Sequence, residues 1–172
     1  MAKLDEIAKF TKESNKLIAK SPYSKNIEKL LAMPEFGRVP YDGDITKLYY
    51  KQPSNCHGTL FYVLGLGNLN FPRFADKKIM NRFLNENCES GKEENGIVTF
   101  SSLKRGFQHC GLYLGKAAGK DTIFHQPNTG EEYCVEPVTN YLIFYPEADS
   151  IVFFKFKDKK NLWVPSYLNE KD

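Results

Sequence analysis

The sequence predicts an α+β protein in which N-terminal helices pack on a central antiparallel β-sheet. Apolar residues recur at helical spacing in the first part of the chain, whereas short apolar or alternating runs, separated by Gly, Pro, Asn and Asp, follow residue 96. Helices first and strands afterwards are typical of this fold class. At 172 residues and 41% hydrophobic composition, the chain is long enough to bury one substantial core.

Two helices are expected near the N-terminus. The first covers roughly residues 3–20 and is ended by the Ser-Pro pair at residues 21–22. The same pair can start a second helix, which stops before residue 33. We expect residues 1–45 to form a helical arm, either packed on the rest of the protein or capping one side of it. Residues 46–172 are expected to form the main domain.

Two further helices are expected before the strands. Phe, Tyr and Val at residues 59–66 favour a strand by propensity, but Ser54 or Asn55 can cap a helix there and Gly65 can end it. We therefore predict a helix for this segment. The apolar residues of residues 74–86 share one face of a fourth helix.

Six strands and one exposed loop are expected in the remainder of the chain. The loop covers residues 87–95, which are polar and include a glycine. The strands are expected at residues 97–100, 110–114, 122–125, 133–135, 141–145 and 151–156.

Charge and hydropathy exclude several classes of protein. A net charge of +3 without an arginine cluster does not indicate a nucleic-acid partner. No apolar run approaches the roughly 18 residues that a membrane helix needs, so no membrane partner is expected either. Residues 1–20 lack the apolar segment of a secretory signal peptide. We therefore expect a cytoplasmic protein, or one exported by a secretion system that does not use such a signal.

The cysteines indicate neither disulfides nor a metal site. Without an export signal a reducing compartment is the default, and no pair of the four cysteines has CxxC spacing. Zinc needs three or four ligands, and Cys56, His57, His109 and Cys110 offer no CxxC or HxxxH pair. No metal and no cofactor are therefore expected.

Cys56, His109 and His125 together suggest covalent catalysis. A thiol reacts as its thiolate, and a helix N-terminus or a nearby imidazole lowers its pKa. Strand alternation places His109 and Gly111 on one face and Cys110 on the other, so that the glycine leaves room for a substrate. His125 ends the following strand, where it can accept the second ring N–H of His109 and fix its tautomer.

This arrangement resembles the NlpC-type cysteine peptidases, which are compact papain-like amidases and endopeptidases that cut peptidoglycan stem peptides. Residues 109–115, His-Cys-Gly-Leu-Tyr-Leu-Gly, are similar to the family's His-Val-Gly-Ile-Tyr-Leu-Gly. The helix cysteine and residues 96–100, Gly-Ile-Val-Thr-Phe, precede that segment in the family's order. The resemblance covers roughly residues 48–126.

The resemblance implies a papain-like fold and a role for each site residue. Cys56 would be the nucleophile, His109 the base and His125 the third member. If His125 is instead an ordinary strand-end histidine, Gln126 is the better group to orient His109. The family often carries a tyrosine that lines the site upstream of the cysteine. Candidate substrate-binding residues are Tyr49, Tyr50, Asn55, His57, Gly111 and Gln126.

The sequence departs from the family pattern beside the nucleophile. Asn55 stands where the family has Asp and His57 where it has Ser, whereas Gly58 is kept. His57 is expected at the surface of the first helical turn or on the rim of the site. These departures affect the substrate and leave the three catalytic positions in place.

The implied function is cleavage of an amide bond in a peptidoglycan peptide or fragment. The enzyme would be either a toxin-like amidase, with an immunity protein as partner, or a cytoplasmic enzyme that processes recycled wall peptides. One alternative is a secreted effector that acts on a host protein as a thiol hydrolase, deamidase or acyltransferase. Another is a non-catalytic binding module with an incomplete triad.

Overall fold

The computed structural model describes residues 2–32, 54–67, 72–104, 106–128, 131–144, 146 and 148–169. The predicted contacts of Tyr49 and Tyr50, and the predicted boundary near residue 45, lie outside the described residues. Within those residues, no helix combines the length and apolar character needed to cross a membrane.

Helices occupy the first half of the described chain, and one more lies between two strands. All four helices predicted ahead of the strands are present. The third is buried on every side, so its sequence has no single apolar face at helical spacing and also looks like a strand. The helices are α1 Ala2–Lys20, α2 Ser24–Ala32, α3 Cys56–Val63, α4 Lys77–Asn87 and α5 Val138–Phe144, with a 3₁₀ turn at Ser166–Asn169.

In the described part of the chain, six strands form one antiparallel sheet. Their order across the sheet is β1-β6-β2-β3-β4-β5, and each neighbouring pair is antiparallel. The α+β class with an antiparallel sheet is thus confirmed. The strands are β1 Cys88–Ser90, β2 Gly96–Ser102, β3 Gly106–Ala117, β4 Lys120–His125, β5 Cys134–Pro137 and β6 Ser150–Phe156.

The predicted strand at residues 141–145 is wrong, because residues 141–144 lie in α5. Val138 and Tyr141 are three residues apart and both buried in the same cluster, and Leu142 packs against that cluster. This is the spacing of one helix face. Ile143 points away from that face and is 74% exposed. The short apolar run fits either period, and packing on the sheet selects the helix.

The loop predicted at residues 87–95 is wrong in part. Cys88–Ser90 forms the edge strand β1, in which Cys88 lies opposite Phe156 of β6. Cys88 is buried, whereas the next two residues are exposed. A strand of three residues shows too little alternation to be recognised from sequence.

The sheet separates two apolar clusters. The larger one, on the side of α3, contains Phe61 and Phe83 together with Leu112 of β3. Ile18 and Ile27 of the N-terminal helices belong to this cluster, so that α1 and α2 contribute to the core. The smaller cluster lies on the side of α5 and includes Val98, Phe100, Tyr113, Ile123, Val138 and Tyr141. The site described below lies where residues from both sides of β3 meet the start of α3.

Candidate functional site

Asn55 fixes the start of α3 and ties it to the segment before α4. Its side-chain Oδ1 accepts hydrogen bonds from the backbone N–H of Gly58 at 3.0 Å and of Ala75 at 3.2 Å. Its Nδ2 donates to the carbonyl oxygen of Ala75 at 2.7 Å. Asn55 is therefore the N-cap of α3. Both ends of its amide are engaged within the protein, which leaves it a structural role where a substrate contact was predicted.

Gly58 is required by the close approach of another backbone segment. A Cβ atom at this position would lie 1.4 Å from the carbonyl oxygen of Arg73. No side chain fits there, so the glycine shared with the NlpC-type pattern has a packing reason in this chain. The segment before α4 can consequently lie directly against the first turn of α3.

Cys56 begins α3 and is almost completely buried. Hydrogen bonding from Cys110 lowers the pKa of its thiol, burial acts to raise it, and the charge and hydrogen bond of His109 and a hydrogen bond from His57 lower it further. The net result is a pKa well below the ordinary value for cysteine. The start of a helix adds the positive end of its dipole. These surroundings favour a thiolate at neutral pH.

His57 is buried beside Cys56, with 6% of its surface exposed, and does not lie at the surface or rim as predicted. Its Nδ1 donates to the carbonyl oxygen of Ala75 at 2.9 Å, since a carbonyl can only accept. Burial lowers the pKa of His57, but its hydrogen bond to Cys56 and the charge of that sulfur raise it, and the net shift is upward. Because Nδ1 is engaged by Ala75, Nε2 is the ring nitrogen available to the Cys56 sulfur.

A chain of hydrogen bonds runs from His109 through His125 to Glu136. His109 Nε2 lies 2.7 Å from His125 Nδ1, and His125 Nε2 lies 2.9 Å from Glu136 Oε1. A carboxylate only accepts, so His125 Nε2–H donates to Glu136, and the neutral ring accepts at Nδ1 from His109 Nε2–H. His109 Nδ1 is then the lone-pair nitrogen available to Cys56. Glu136 thus fixes the tautomer of both histidines.

The environment of His125 keeps its ring neutral. Burial lowers the pKa of His125 and the neighbouring His109 acts in the same direction, whereas the hydrogen bond with Glu136 opposes them; the net shift is downward. The sulfur of Cys134 also lies 3.3 Å from His125 Nε2. Burial and the charges of Glu136 and Glu131 raise the pKa of Cys134 to about 12, so this thiol stays protonated.

Two neighbours hold the imidazoles in place. The ring of Tyr141 stacks on His109 with a centroid separation of 4.3 Å and an interplanar angle of 13°. Gly111 allows β4 to approach, because a Cβ there would lie 3.0 Å from the Cβ of His125 and 2.9 Å from the oxygen of Phe124. The space beside Gly111 that was predicted for a substrate is therefore occupied by His125 and its strand.

Gln126 is engaged at both ends of its side chain. Its Oε1 accepts from the hydroxyls of Ser54 at 2.8 Å and Thr59 at 3.0 Å, and its Nε2 donates to the carbonyl of Glu131 at 3.0 Å. Gln126 ties the segment before α3 to the end of β4. His125, and not Gln126, is the residue bonded to His109.

Sequence reasoning missed Glu136 and the part played by Cys110. The predicted strand stopped at residue 135; had it been extended, alternation would have placed Cys134 and Glu136 on the same face as His125, since His125 pairs with Cys134. Cys110 was correctly assigned to the face opposite His109. The missing information was that Cys56 reaches both of these consecutive residues.

Two groups of side chains in the described residues have donor atoms close enough to hold a metal ion. The first is Cys56, His57 and Cys110, whose ligand atoms lie within 4.8 Å of one another. The second is His125, Cys134 and Glu136, whose ligand atoms lie within the same limit of 4.8 Å. Sequence spacing did not indicate either group, because in each of them one ligand comes from a different element than the other two.

Three comparisons with known proteins identify no relative of this chain. No protein-family model, curated protein or solved structure matches the chain.

Proposed function

We propose that this protein is a papain-like thiol hydrolase of the NlpC type that cleaves an amide bond. The observation that carries the proposal is the chain from Cys56 through His109 and His125 to Glu136. It supplies a nucleophile at a helix start, a base, and two groups that orient the base. The four connected residues support catalysis better than any one of them does, since a lone buried cysteine is usually only a packing residue.

The directions of these hydrogen bonds assign a residue to each step of amide cleavage. His109 Nδ1 takes the thiol proton of Cys56, and the thiolate attacks the amide carbonyl. The backbone N–H of Cys56, at the positive end of α3, stabilises the oxyanion that forms. His109 then donates its proton to the leaving amine, which departs and leaves a thioester. Water, deprotonated by His109, hydrolyses the thioester and restores the thiol.

The substrate class comes from the sequence resemblance. The segment at residues 109–115 resembles enzymes that cut peptidoglycan stem peptides, so a peptidoglycan peptide or fragment is the proposed substrate. The two proposed settings are a delivered toxin, with an immunity protein as its partner, and cytoplasmic recycling of wall peptides.

Site-resolved alkylation tests the proposed nucleophile. Iodoacetamide is applied between about pH 4 and about pH 9 to wild type, His109→Ala and the size-conserving His109→Gln, and each cysteine is followed by mass spectrometry. Cys56 is expected to react well below the pH range of a free thiol, and both variants should slow that reaction near neutral pH. Cys88 is an internal control, because burial raises its pKa to about 12 and it should stay unlabelled. A Cys56 that titrates like a free thiol, unchanged by both variants, would refute the proposal.

Digestion of purified sacculi tests the substrate. Wild type should release muropeptides whose new ends identify the cleaved bond, and Cys56→Ala should release none. A reactive Cys56 without any released fragment would reject peptidoglycan and retain the thiol chemistry.

The second candidate function keeps the nucleophile and changes the substrate to a protein. The observation that favours it is His57, which stands in place of the family's serine and is buried against Cys56. A secreted hydrolase, deamidase or acyltransferase acting on a host protein would fit such an altered site. Mass shifts on candidate host proteins, in the absence of sacculus cleavage, would support it. A Cys56 that is inert in every assay would instead favour a binding module.

A further inference from the structure

Three soft metal-binding groups converge at the start of α3. Cys56 and His57 are consecutive residues of the first turn, and Cys110 reaches them from the middle of β3. The two sulfurs and the imidazole nitrogen lie within 4.8 Å of one another. Cys110 is fully buried and His57 is 6% exposed, so hydrogen bonding to bulk water competes little for these donors.

His57 has the surroundings of a metal-binding imidazole. Its Nδ1–H donates to the carbonyl of Ala75 at 2.9 Å, which fixes the tautomer and leaves Nε2 as the nitrogen that can bind a metal. A backbone carbonyl on the far nitrogen is the usual outer partner of a zinc-ligating histidine. The same carbonyl accepts from Asn55 at 2.7 Å, so the acceptor that orients His57 is itself held in place.

The donor set matches one class of cation. Two thiolates and one imidazole are typical of zinc, and three protein ligands leave a fourth position for water or substrate. Tetrahedral bonds of about 2.3 Å to sulfur separate two sulfurs by roughly 3.8 Å, so a contraction of at most about 1 Å brings the sulfurs to coordination distance. We propose that Cys56, His57 and Cys110 form a reversible binding site for a thiophilic divalent cation, zinc in particular.

Binding would block the nucleophile. The ion displaces two protons, that of the Cys110 thiol and the one that Cys56 shares with its imidazole partners, forms two metal–sulfur bonds and one bond to His57 Nε2, and causes no change of oxidation state. With its lone pairs held by the metal, Cys56 cannot attack a carbonyl. This inhibitory consequence rests on the proposed function, whereas the binding site itself does not.

The second donor group provides a contrast within the same protein. His125 Nε2 already donates to Glu136, and His125 Nδ1 is used by His109. Binding a metal there would break the hydrogen-bond chain of the site. The first group, by comparison, keeps the outer hydrogen bond of His57 when a metal binds.

Cobalt and zinc titrations of the reduced, metal-free protein test the proposal. Cobalt(II) bound to thiolates gives a sulfur-to-metal charge-transfer band, and zinc then displaces it in competition with a chromophoric chelator. We expect one equivalent per chain in wild type. His57→Gln and Cys110→Ser should each weaken binding by about 100-fold or more, because loss of an outer partner alone already costs 10- to 100-fold. Cys88→Ala, which removes a distant thiol, and Cys134→Ser, which removes one from the second group, should bind as wild type does.

A variant-free measurement guards against misfolded variants. In wild type, one equivalent of zinc should protect Cys56 from iodoacetamide, and a chelator should restore its reactivity. The absence of a charge-transfer band in wild type would overturn the proposal. So would a wild-type affinity for cobalt in both His57→Gln and Cys110→Ser, provided that their circular dichroism is native. Loss of binding confined to Cys134→Ser would also overturn it, by assigning the metal to the second group.

The two proposals fail in different ways. Cys56 that reacts rapidly in the metal-free protein, together with no cobalt binding, would reject the metal site alone. Cobalt binding with sluggish Cys56 in the metal-free protein would support the metal site and reject the nucleophile.

Discussion

Replacing Asn55 by alanine should lower the free energy of unfolding by about 3 kcal/mol, a large loss for one polar residue. Asn55 makes three hydrogen bonds to backbone groups at the start of α3, and alanine can make none of them. All three lie in a buried part of the protein, so water does not readily replace them.

The magnitude follows from the three contacts. Loss of the N-cap bond to Gly58 costs about 1 kcal/mol. Loss of the bond from the Ala75 N–H costs about 1 kcal/mol or more, because that donor is left buried without its acceptor. Loss of the bond to the Ala75 carbonyl costs about 1 kcal/mol and no more, because His57 continues to donate to the same oxygen.

Aspartate at the same position separates the two ends of the side chain. Asn55→Asp keeps the oxygen that accepts from Gly58 and Ala75, and its charge favours the helix start by about 0.5 kcal/mol. It replaces Nδ2 by a second oxygen that would face the Ala75 carbonyl, where the present separation is 2.7 Å. We therefore expect a loss of about 1 to 2 kcal/mol, smaller than that of alanine.

Urea unfolding followed by circular dichroism measures both variants. Asn81→Ala, at an exposed position of α4, is the matched control and should change stability by less than about 0.5 kcal/mol. A loss below about 1 kcal/mol in Asn55→Ala would refute the assignment of three net-stabilising bonds. A greater loss in Asn55→Asp than in Asn55→Ala would refute the assignment of Oδ1 as the stabilising acceptor.

Three other changes have expected outcomes. Glu136→Gln removes the acceptor-only group that orients His125. We expect the initial rate of Cys56 alkylation near neutral pH to fall roughly 10- to 100-fold. An unchanged rate would exclude Glu136 from the site. Gly58→Ala should destabilise the protein by about 3 kcal/mol or more because its Cβ meets a carbonyl oxygen, whereas Gly119→Ala, with open space but φ of +76°, should cost only about 1 kcal/mol in the same urea assay. Burial acts to raise the pKa of Asp121, but hydrogen bonds from Lys92 and Tyr113 outweigh this effect, and the net pKa is lowered. The ionised Asp121 therefore contributes about 1 kcal/mol at most to the free energy of unfolding at neutral pH, and this contribution is lost as the pH falls through about 4 and below. Asp121→Asn should flatten the dependence of the free energy of unfolding on pH in that range.

The sequence was most informative where local chemistry decides the structure. Ser54 and Asn55 could be recognised as candidate caps from residue type alone, and the structure selects Asn55, with a helix that begins at the next residue. Alternation along β3 correctly separated His109 from Cys110. Both conclusions follow from interactions within a few residues, which a single sequence contains.

Long-range packing explains what could not be predicted. The segment containing Tyr141 is apolar at consecutive positions, so helical and strand spacing are both satisfied until a surface is available for packing. His57 has no sequence signal for burial, because its partner carbonyl belongs to Ala75, eighteen residues further along the chain. Cys110 meets Cys56 only when β3 packs against α3. In each case the deciding contact joins residues that are distant in sequence.

The corrected helix α5 has a direct consequence for the site. A strand at residues 141–145 would extend the sheet, whereas the helix crosses its face and stacks Tyr141 on His109 at 4.3 Å. A hydrogen bond at His109 Nε2 restrains the ring mainly in its own plane, and the stacked tyrosine restrains it in the perpendicular direction. Tyr141→Ala should therefore free the ring and slow Cys56 alkylation near neutral pH, while Tyr141→Phe, which keeps the aromatic face, should retain the wild-type rate. Equal loss in both variants would assign the effect to the tyrosine hydroxyl and contradict positioning by the ring.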